Sequence, residues 1–408
     1  MTLRTDVLIA GGGLNGPALA LALAAAGIGV AVIDARPARA RAAEGFDGRA
    51  YALALASQRL LAALGVWPAL APLAEPIRHV EAVQGRAGEA PFPLGLHFDA
   101  AEIEEGPLGY MVEDRHLYAA LTEAMAGRGV AHHPGTGLAG EQESPGGIVA
   151  HLSDGGQIEA RLLVGADGRG SGVAQRAGIR RIGWDYGQTA LVCALDHERP
   201  HGGTARQVFL PTGPLAILPL RGNRSSIVWS IRRAQAEAIA ALDDDAFLDV
   251  LRPAFGEGLG AISLAGPRFS YTLGLTLAAR YVAPRRALVG DAAHGVHPIA
   301  GQGLNLGLRD VAALAECVVD AHRRGEDIGA APVLERYQGW RRFDSTLLAA
   351  GMDGVNRIFS NDLPLLRTAR GIGMGVVQGI PALRRAVMRQ AAGLTLDPMP
   401  RLLAGQPL

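Results

Sequence analysis

The chain has 408 residues, 49% of them hydrophobic and 19% charged, which is enough for two domains with sizeable cores. The 39 basic residues are balanced by 39 acidic ones, so the sequence has no basic field of the kind that nucleic-acid binding needs. All 39 basic residues are arginines, and the lack of lysine excludes both a Schiff-base lysine and a P-loop lysine. Cys193 and Cys317 form no CxxC pair, which predicts a reducing compartment and no thiolate metal site.

The first predicted elements form a strand–helix–strand unit. They are a buried strand, a helix of small residues and a second strand, at residues 6–10, 18–26 and 30–33. The turn GGGLNG places Gly11, Gly13 and Gly16 in GxGxxG register, and Asp34 follows the second strand. In such a unit the glycines allow close approach of a pyrophosphate, and the acid accepts hydrogen bonds from ribose hydroxyls. The unit therefore predicts a site for the adenosine half of FAD or NAD, without a 2′-phosphate.

Residues 14–33 also have the length of a membrane span. The run is interrupted by Asn15, Pro17, Gly27 and Gly29, and an apolar strand precedes it instead of a basic segment. We therefore expect neither a signal peptide nor an anchor in this region.

Two positions further along are candidates for contact with the same ligand. Arg49 precedes an apolar helical stretch at residues 53–64, where it either clamps a pyrophosphate or caps a surface helix; the clamp is the preferred interpretation. Residues 158–164 predict a second buried strand that ends in the sequence GADG, so Asp167 offers a carboxylate beside a backbone turn.

The residue pattern changes between residues 182 and 276, where short runs of alternating apolar and polar residues predict an antiparallel sheet that covers a bound cofactor. An acidic helix is expected beside it at residues 243–251. Three aromatic residues, Trp229, Phe209 and Tyr186, either line a pocket or belong to the core, and each taken singly fits the core better.

The most informative stretch is residues 286–310, RALVGDAAHGVHPIAGQGLNLGLRD. It predicts a buried strand, an acidic turn at Gly290 and Asp291, a glycine-rich loop, and a helix from Gln302 to about residue 325. Asp291 follows the strand's carboxyl end, where it can accept hydrogen bonds from sugar-like hydroxyls.

Glycines in this loop indicate a close ligand. Gly301, Gly303 and Gly307 let the backbone approach something flat, and the start of the helix directs free N–H groups at it. His294 and His297 lie on the loop with no third ligand nearby, so we expect no metal site there.

The C-terminal residues 330–393 predict helices in which arginines alternate with apolar side chains. The arginines are Arg367, Arg370, Arg384, Arg385 and Arg389. They form either a solvated edge of ordinary packing or a surface for an anionic membrane or a partner. Both interpretations remain open.

Three motifs, GxGxxG at 11–16, GADG at 165–168 and GDAAH at 290–294, resemble those of the flavoprotein aromatic hydroxylases of the para-hydroxybenzoate hydroxylase group. The continuation HPIAGQGLNLGLRD at 297–310 is similar to the hydroxylases of ubiquinone biosynthesis. The tail matches that subgroup at Tyr337, Arg341, Asp344, Asp353 and Phe359-Ser360, with Met352 where a threonine is usual. The resemblance covers nearly the whole chain.

The resemblance implies an α/β fold: an FAD-binding Rossmann-like domain of glutathione reductase type, an antiparallel β-sheet substrate domain and a helical C-terminal region. The FAD-binding parts are expected at residues 1–75, 111–181 and 278–330. The substrate domain is expected at residues 76–110 and 182–277, and the helical region at residues 331–408.

The resemblance also implies the site residues. Those expected to bind the cofactor are Gly11, Gly13, Gly16, Asp34, Arg49, Arg115, Asp167, Gly290, Asp291, Gly303, Leu304 and Asn305. Those expected in the catalytic loop against the isoalloxazine ring are Pro298, Gly301, Gln302 and Gly303. Asp114 stands where relatives usually carry Arg, Gln or Asn, so Arg115 is expected to replace that contact to the flavin.

The implied reaction is hydroxylation of a polyprenylated phenol in ubiquinone biosynthesis, with FAD reduced by NAD(P)H and O2 activated as a flavin C4a-hydroperoxide. No metal and no nucleic acid is expected to take part. The alternatives are a flavin enzyme acting on a prenyl chain or a soluble aromatic, and a non-catalytic FAD scaffold of a biosynthetic complex. A cytoplasmic protein, peripheral on the inner face of the plasma membrane or held in such a complex, is expected because the substrate lives in the bilayer.

Overall fold

The computed structural model describes residues 3–38, 48–88, 95–298, 301–359 and 364–408. The strands are β1 Leu3–Ala10, β2 Val30–Asp34, β3 Ala50–Ala54, β4 Glu75–Ile77, β5 His79–Gln84, β6 Leu96–Asp99, β7 Gly109–Glu113, β8 Ala131–Pro134, β9 Leu138–Ser144, β10 Gly147–Leu152, β11 Gln157–Gly165, β12 Arg181–His197, β13 Thr204–Leu210, β14 Gly213–Leu220, β15 Arg224–Arg232, β16 Ile262–Leu264, β17 Phe269–Ala278, β18 Val282–Ala283, β19 Arg286–Leu288 and β20 His294–Gly295. The helices are α1 Asn15–Ala25, α2 Leu55–Ala63, α3 Trp67–Leu70, α4 Asp114–Gly127, α5 Gly172–Arg176, α6 Arg233–Ala240, α7 Asp244–Phe255, α8 Gln302–Arg323, α9 Ala331–Phe359, α10 Pro364–Gly379 and α11 Pro381–Ala391.

An eight-stranded sheet forms the cofactor half of the molecule. Its main path is β18-β19-β11-β1-β2-β8, and the two remaining strands are β10, which pairs with β11, and β9, which pairs with β10. Strand β1 pairs in parallel with both β2 and β11. All five residues of β2 are buried, as a strand covered on both faces requires. The run at residues 14–33 is thus a helix followed by a strand of this sheet, as the sequence predicted.

A nine-stranded sheet forms the second half. Its main path is β20-β17-β12-β15-β14-β13-β5-β6, and the ninth strand, β16, pairs with β12. It is antiparallel except for the parallel pair β13 and β5. Alternate residues of β15, Ile227, Trp229 and Ile231, pack into a core with α6 and α7. Trp229 is therefore a core residue. Ser226 and Val228 point to the opposite face, because side chains alternate along a strand.

A small sheet of β3, β7 and β4 lies against that opposite face, where Met111 and Ile77 pack with Ala194 and Leu220. The predicted helix at residues 53–64 was wrong at its start. The chain is strand β3 through Ala54, and α2 begins only at Leu55. Pairing of β3 with β7 outweighs the helical propensity of this alanine-rich run.

The C-terminal region is helical, as predicted. The end of the chain returns to the cofactor half, where Leu402 and Leu403 are buried in its core. Within the described ranges, no helix combines the length and the apolar character needed to cross a bilayer.

Candidate active site

The first glycine turn packs tightly against the protein itself. A Cβ on Gly11, whose φ is +120°, would lie 2.2 Å from the carbonyl oxygen of Ala166, and one on Gly16 would lie 1.9 Å from that of Gly11. Helix α1 starts in this turn beside Gly13 and has no side-chain cap. Its first N–H groups can therefore serve an anionic ligand.

Asp34 lies directly beneath this turn. Its side chain is buried at the end of β2, and Oδ1 accepts a hydrogen bond from the N–H of Arg36 at 3.0 Å. A Cβ on Gly12 would lie only 2.7 Å from Asp34 Oδ2. The carboxylate thus occupies the position beside the glycine turn that ribose binding requires.

Asp167 follows the end of β11, and only one of its two carboxylate oxygens accepts a hydrogen bond within the described residues. Oδ2 accepts a hydrogen bond from the N–H of Val173 at 3.1 Å, in the first turn of α5. Oδ1 is buried and has no hydrogen-bond partner among the described residues. Because a buried polar atom without a partner is costly, a donor on a ligand fits here.

Asn15 joins the first motif to the third, and sequence reasoning missed it. A Cβ on Gly290 would lie 2.2 Å from Asn15 Nδ2, and one on Gly307 would lie 2.3 Å from it. Gly307 therefore makes room for Asn15, whereas the sequence predicted that it admits a ligand. The signal available was a single amide in the otherwise apolar first turn of α1.

Asp291 occupies the turn after β19 and remains partly accessible. Its Oδ2 is 3.3 Å from Nε of Arg169, and its backbone oxygen accepts a hydrogen bond from Nη2 of Arg181 at 3.0 Å. The carboxylate is 42% exposed, so it can turn towards a ligand hydroxyl without breaking a buried contact.

The loop before α8 is closed by a hydrogen bond from the N–H of Gly301 to the oxygen of Pro298, at 2.9 Å. Gly301 has a φ of +62°, and α8 starts after it without a side-chain cap. Among the described residues, nothing lies within 4 Å of the position that a Cβ on Gly303 would take. Gln302 and Leu304 are buried on either side. The loop thus offers open backbone, as a flat ligand needs.

Asn305 secures this loop to β3. Its Oδ1 accepts hydrogen bonds from the N–H of Ala54 and the hydroxyl of Ser57, and its Nδ2 donates to the oxygens of Ala52 and Gly301. The side chain is fully used inside the protein. The prediction that Asn305 binds the cofactor therefore remains only for its backbone.

Arg49 is paired with Asp114, the acid that stands where relatives were expected to carry Arg, Gln or Asn. Its guanidinium lies 3.1 Å from Asp114, which begins α4. Burial and then the charge of Asp114 raise the pKa of neighbouring Tyr51 above its ordinary value. Arg115 is paired with Glu113 at 2.7 Å. The predicted cofactor contacts of both arginines stay predictions, and Asp114 acts as the ion-pair partner of Arg49.

A buried ionic network holds the acidic turn from behind. Asp310 Oδ2 accepts a hydrogen bond from the N–H of Gly290 at 3.0 Å and lies 2.5 Å from Nε2 of His294, while Oδ1 lies 2.8 Å from Arg341. Burial alone would raise the pKa of Asp310, but the adjacent His294 and Arg341 outweigh it and hold that pKa below its ordinary value. His294 is therefore part of a structural ion cluster that joins β20, α8 and α9.

His297 is buried next to the predicted catalytic loop. Both ring nitrogens are buried without a hydrogen-bond partner in the part of the chain that is described. Its ring meets that of Tyr186 edge-on at 5.3 Å. Burial, reinforced by Arg169, lowers the pKa of His297 to about 4, although Asp353 opposes the shift. The imidazole is neutral at physiological pH.

The face of the large sheet that carries Ser226 also carries a partly exposed apolar row. Val192, Val228 and Ala216 are directly paired across β12, β15 and β14. Phe209, on the next strand, stacks on Phe359 at the end of α9, with ring centroids 4.0 Å apart. This face is a suitable floor for a flat apolar substrate.

A groove of about 450 Å³ runs beside Asp291. It is lined by Arg169, Arg181, Gly183, Trp184, Asp185 and the β17 residues Thr272–Thr276, and Asp185 is paired with Arg233. Two cations and an exposed indole suit an anionic aromatic ligand.

These features together fit FAD. An uncapped helix start, a buried acid beneath the glycine turn, an unpartnered Asp167 oxygen and an open glycine loop lie along the carboxyl ends of one parallel sheet. In open α/β folds this is the edge where dinucleotides bind.

The fold and the three motifs define an FAD-binding flavoprotein. The family described as FAD binding domain matches residues 4–341. A ubiquinone hydroxylase of Rhodospirillum rubrum, UbiL, is 48% identical over 99% of this chain and 93% of its own length. The 3-demethoxyubiquinol 3-hydroxylase of Escherichia coli is 38% identical over 96% of this chain and 99% of its own. The chain therefore belongs to the FAD-dependent hydroxylase family of ubiquinone biosynthesis, which confirms the family predicted from the motifs.

Solved structures agree on the fold. The p-nitrophenol 4-monooxygenase PnpA of Pseudomonas putida superposes with a TM-score of 0.80 at 17% identity, over 97% of this chain and 99% of its own. PqsL of Pseudomonas aeruginosa gives 0.75 at 24% identity, over 91% of this chain and 100% of its own. The predicted combination of an FAD-binding α/β domain with a sheet-rich substrate domain is confirmed.

Proposed function

We propose that this protein is an FAD-dependent monooxygenase that hydroxylates the aromatic ring of a polyprenylated phenol intermediate of ubiquinone biosynthesis. NAD(P)H is the reductant and O2 the second substrate. The observation that supports this most directly is the uncapped start of α8 at Gly301–Gly303, where nothing among the described residues lies within 4 Å of a Cβ on Gly303. The similarity to two hydroxylases of ubiquinone intermediates supports the substrate class.

Bound FAD supplies electron transfer and oxygen activation, and the protein supplies binding and electrostatics. The N–H groups at the start of α8 favour negative charge on the ring that faces them. Asp34, Asp167 and Asp291 hold the sugar and ribityl hydroxyls in this proposal. Neutral His297 and the sheet face keep water from the reacting edge.

The groove beside Asp291 is the proposed docking position of the reduced nicotinamide nucleotide. Arg169 and Arg181 would take its pyrophosphate, and Trp184 would stack on a ring. Burial lowers the pKa of Arg181, so an anionic partner there would relieve an unfavourable environment. Arg169→Gln should raise the KM for NAD(P)H more than it changes the FAD content.

Profiling of quinone intermediates in cells that lack the gene tests the reaction. We expect ubiquinone to fall and one under-hydroxylated prenyl phenol to accumulate, with recovery by the wild-type gene and none by Asp167→Ala. An unchanged quinone profile would overturn the proposal. Turnover of soluble phenols by the purified enzyme would favour the soluble-aromatic alternative, and recovery by a variant without turnover would favour a scaffold.

The same proposal requires access to a bilayer substrate, and the pair α10–α11 offers a surface for it. Aliphatic side chains on these helices and at the residue between them are exposed by 37% to 57%, namely Ile372, Val376, Ile380, Leu383 and Val387. Residues 364–391 contain five arginines and no acid. An exposed aliphatic stripe on basic helices fits an anionic lipid surface.

The arginines are not equivalent. Arg384 pairs with Glu102 at 2.6 Å and Arg389 with Glu105 at 3.1 Å, so both attach α11 to the rest of the molecule. Arg385 is exposed and makes no hydrogen bond or ion pair with any described residue. Charge reversal of Arg384 would therefore release the helix instead of testing lipid binding.

Sedimentation with vesicles that contain anionic phospholipid tests this surface. Wild type is expected to bind at low salt, and Val376→Asp with Arg385→Glu should abolish binding while FAD content stays unchanged. Arg4→Glu, which makes the same charge change as Arg385→Glu at an 81% exposed site, is the control for that substitution. Binding that survives the double substitution would contradict a role for this surface, and its absence in wild type would favour presentation by a partner.

A further inference from the structure

Two strands at the far edge of the substrate sheet carry the same short pattern, His-X-acid. It occurs as His79-Val80-Glu81 on β5 and as His97-Phe98-Asp99 on β6. The strands are antiparallel, with His79 opposite Asp99 and Glu81 opposite His97. Side chains two residues apart share a face of a strand, so the two imidazoles and two carboxylates form one square array.

We propose that His79, His97 and Asp99 bind a divalent first-row transition metal such as Zn²⁺. One donor atom from each of the three residues lies within 4.8 Å of the other two. His79 Nδ1 is 3.6 Å from Asp99 Oδ2, which is too long for a hydrogen bond. This nitrogen is shielded from solvent and has no hydrogen-bond partner among the described residues.

The donor set suits such an ion. Imidazole nitrogens together with one carboxylate are common ligands of Zn²⁺ and neighbouring metals, at roughly 2.0–2.2 Å. Donors around one ion then lie about 3.3 Å apart, so the side chains must close by up to about 1.5 Å. They have the freedom to do so, since the three side chains are 34%, 51% and 40% exposed.

Glu81 is the neighbour of the site and not a ligand. Its Oε2 accepts a hydrogen bond from Nε of Arg206 at 2.9 Å, and its Oε1 is 3.9 Å from His97 Nδ1. Three protein ligands leave at least one coordination position for water.

The position in the fold indicates what a bound ion would do. Seven strand intervals separate β6 from β20 beside the cofactor site, which is roughly 30 Å at the usual strand spacing. The N–H of His97 donates to the side chain of Gln378 on α10 at 2.8 Å. A metal that fixes β6 to β5 would therefore strengthen the docking of the C-terminal helices without touching the flavin chemistry. The inference is independent of the proposed reaction.

Calorimetric titration of Zn²⁺ and of Co²⁺ into untagged, FAD-loaded, chelator-treated protein tests the site. We expect saturable binding of one ion per chain at micromolar concentration and a higher melting temperature. X-ray absorption of the loaded protein should show two imidazole nitrogens. His79→Ala and His97→Ala should each weaken binding at least tenfold, and Asp99→Asn should do so at unchanged size. His151→Ala, at a half-buried histidine on another sheet that contacts Gln157, should leave binding unchanged.

Flavin content and melting without metal show whether each variant is folded. Absence of saturable binding of either ion to the wild-type protein would overturn the proposal. Binding that Asp99→Asn and both histidine substitutions leave intact would overturn it equally, because the ion would then lie elsewhere.

Discussion

Individual glycines in this protein serve neighbouring side chains as much as a ligand. Gly290 and Gly307 both face the amide of Asn15, at distances that leave no space for a Cβ. The Oδ1 of Asn15 is buried without a hydrogen-bond partner in the described ranges, so it also remains available to a bound cofactor. One residue thereby connects the first nucleotide motif with the acidic turn and the long helix.

Gly307→Ala is expected to lower the free energy of unfolding by about 1–3 kcal/mol, the usual range for overpacking a filled site. In an Asn15→Ala background the same substitution should cost much less, because the colliding amide is gone. Urea denaturation of the four proteins of this double-mutant cycle measures the coupling.

Gly290→Ala is the matched control, since its φ of +61° strains any side chain whatever the space. Asn15→Ala should therefore recover only part of its loss. An equal loss of unfolding free energy for Gly307→Ala in both backgrounds would contradict the inference that Gly307 makes room for the side chain of Asn15.

His297 should make stability depend on pH. Its pKa falls to about 4 in the folded protein, below the ordinary value of about 6.5. Between these values the unfolded chain binds a proton that the folded chain does not, so stability is lost as pH falls from about 6.5 towards 4. The free energy of unfolding above pH 6.5 should therefore exceed that below pH 4 by at most about 3.4 kcal/mol, at about 1.36 kcal/mol per pKa unit.

Unfolding at a series of pH values should give a flatter profile between pH 4 and 6.5 for His297→Gln than for wild type. His151→Gln, the same substitution at a half-buried histidine on β10, is the control. An unchanged slope in His297→Gln would show that this imidazole is protonated in the folded state.

At the scale of elements, the regular parts were readable from the sequence. The strand at residues 6–10, the helix from Gln302 and the long helical tail carry strong local patterns, and the structure has them within a few residues. Strand β3 was missed because its Ala-Tyr-Ala-Leu-Ala run has helical propensity, and only pairing with β7 decides its conformation. Such long-range pairing leaves no local trace.

The site divides in the same way. The acids and glycines of the motifs could be found from spacing, and the structure brings Gly11–Gly16, Asp167 and Gly290 together. Their partners could not be found so, since the pairs Asn305–Ala52, Arg49–Asp114 and Arg341–Asp310 join residues remote in sequence. The geometry of a side-chain network follows from the fold and is absent from any single motif.

The network around Asp310 is the element-scale anchor of the acidic turn. Arg341→Met removes the cation, which leaves buried Asp310 with His294 and the N–H of Gly290 as its contacts and should cost about 3–5 kcal/mol. The folded-state pKa of Asp310 is depressed, so its contribution is present above about pH 4 and lost as pH falls further. Loss of the cation should move this acid sensitivity to higher pH.

Thermal unfolding of Arg341→Met across pH 3 to 7 measures both effects. Arg342→Met, an exposed neighbour on the same helix, is the control. A destabilisation below about 1 kcal/mol would show that the ion pair contributes no more than a surface contact.

At the scale of the whole molecule, the predicted cofactor residues come from chain segments that are far apart. The glycine turn, Asp34, Asp167 and the acidic turn at Gly290 and Asp291 meet at the edge of the eight-stranded sheet. The tail returns to the same core through Leu402 and Leu403. A ligand at this edge therefore holds the first, middle and last thirds of the chain together, and its effect should appear in global stability.

Purified protein should accordingly be yellow, with about one FAD per chain that denaturation releases, and FAD should raise the melting temperature of the apoprotein in a single transition. At a hundredfold excess over its Kd, FAD stabilises by about 2.7 kcal/mol.

Asp291→Ala removes an acceptor for a ligand hydroxyl, and the partial exposure of Asp291 indicates a loss of about tenfold in FAD affinity. At the same FAD concentration its stabilisation should then fall to about 1.4 kcal/mol. Asp249→Ala, at an exposed acid on α7, is the control and should keep the full shift. Unchanged FAD affinity in Asp291→Ala would make this residue part of the Arg169 contact alone and remove it from the cofactor site.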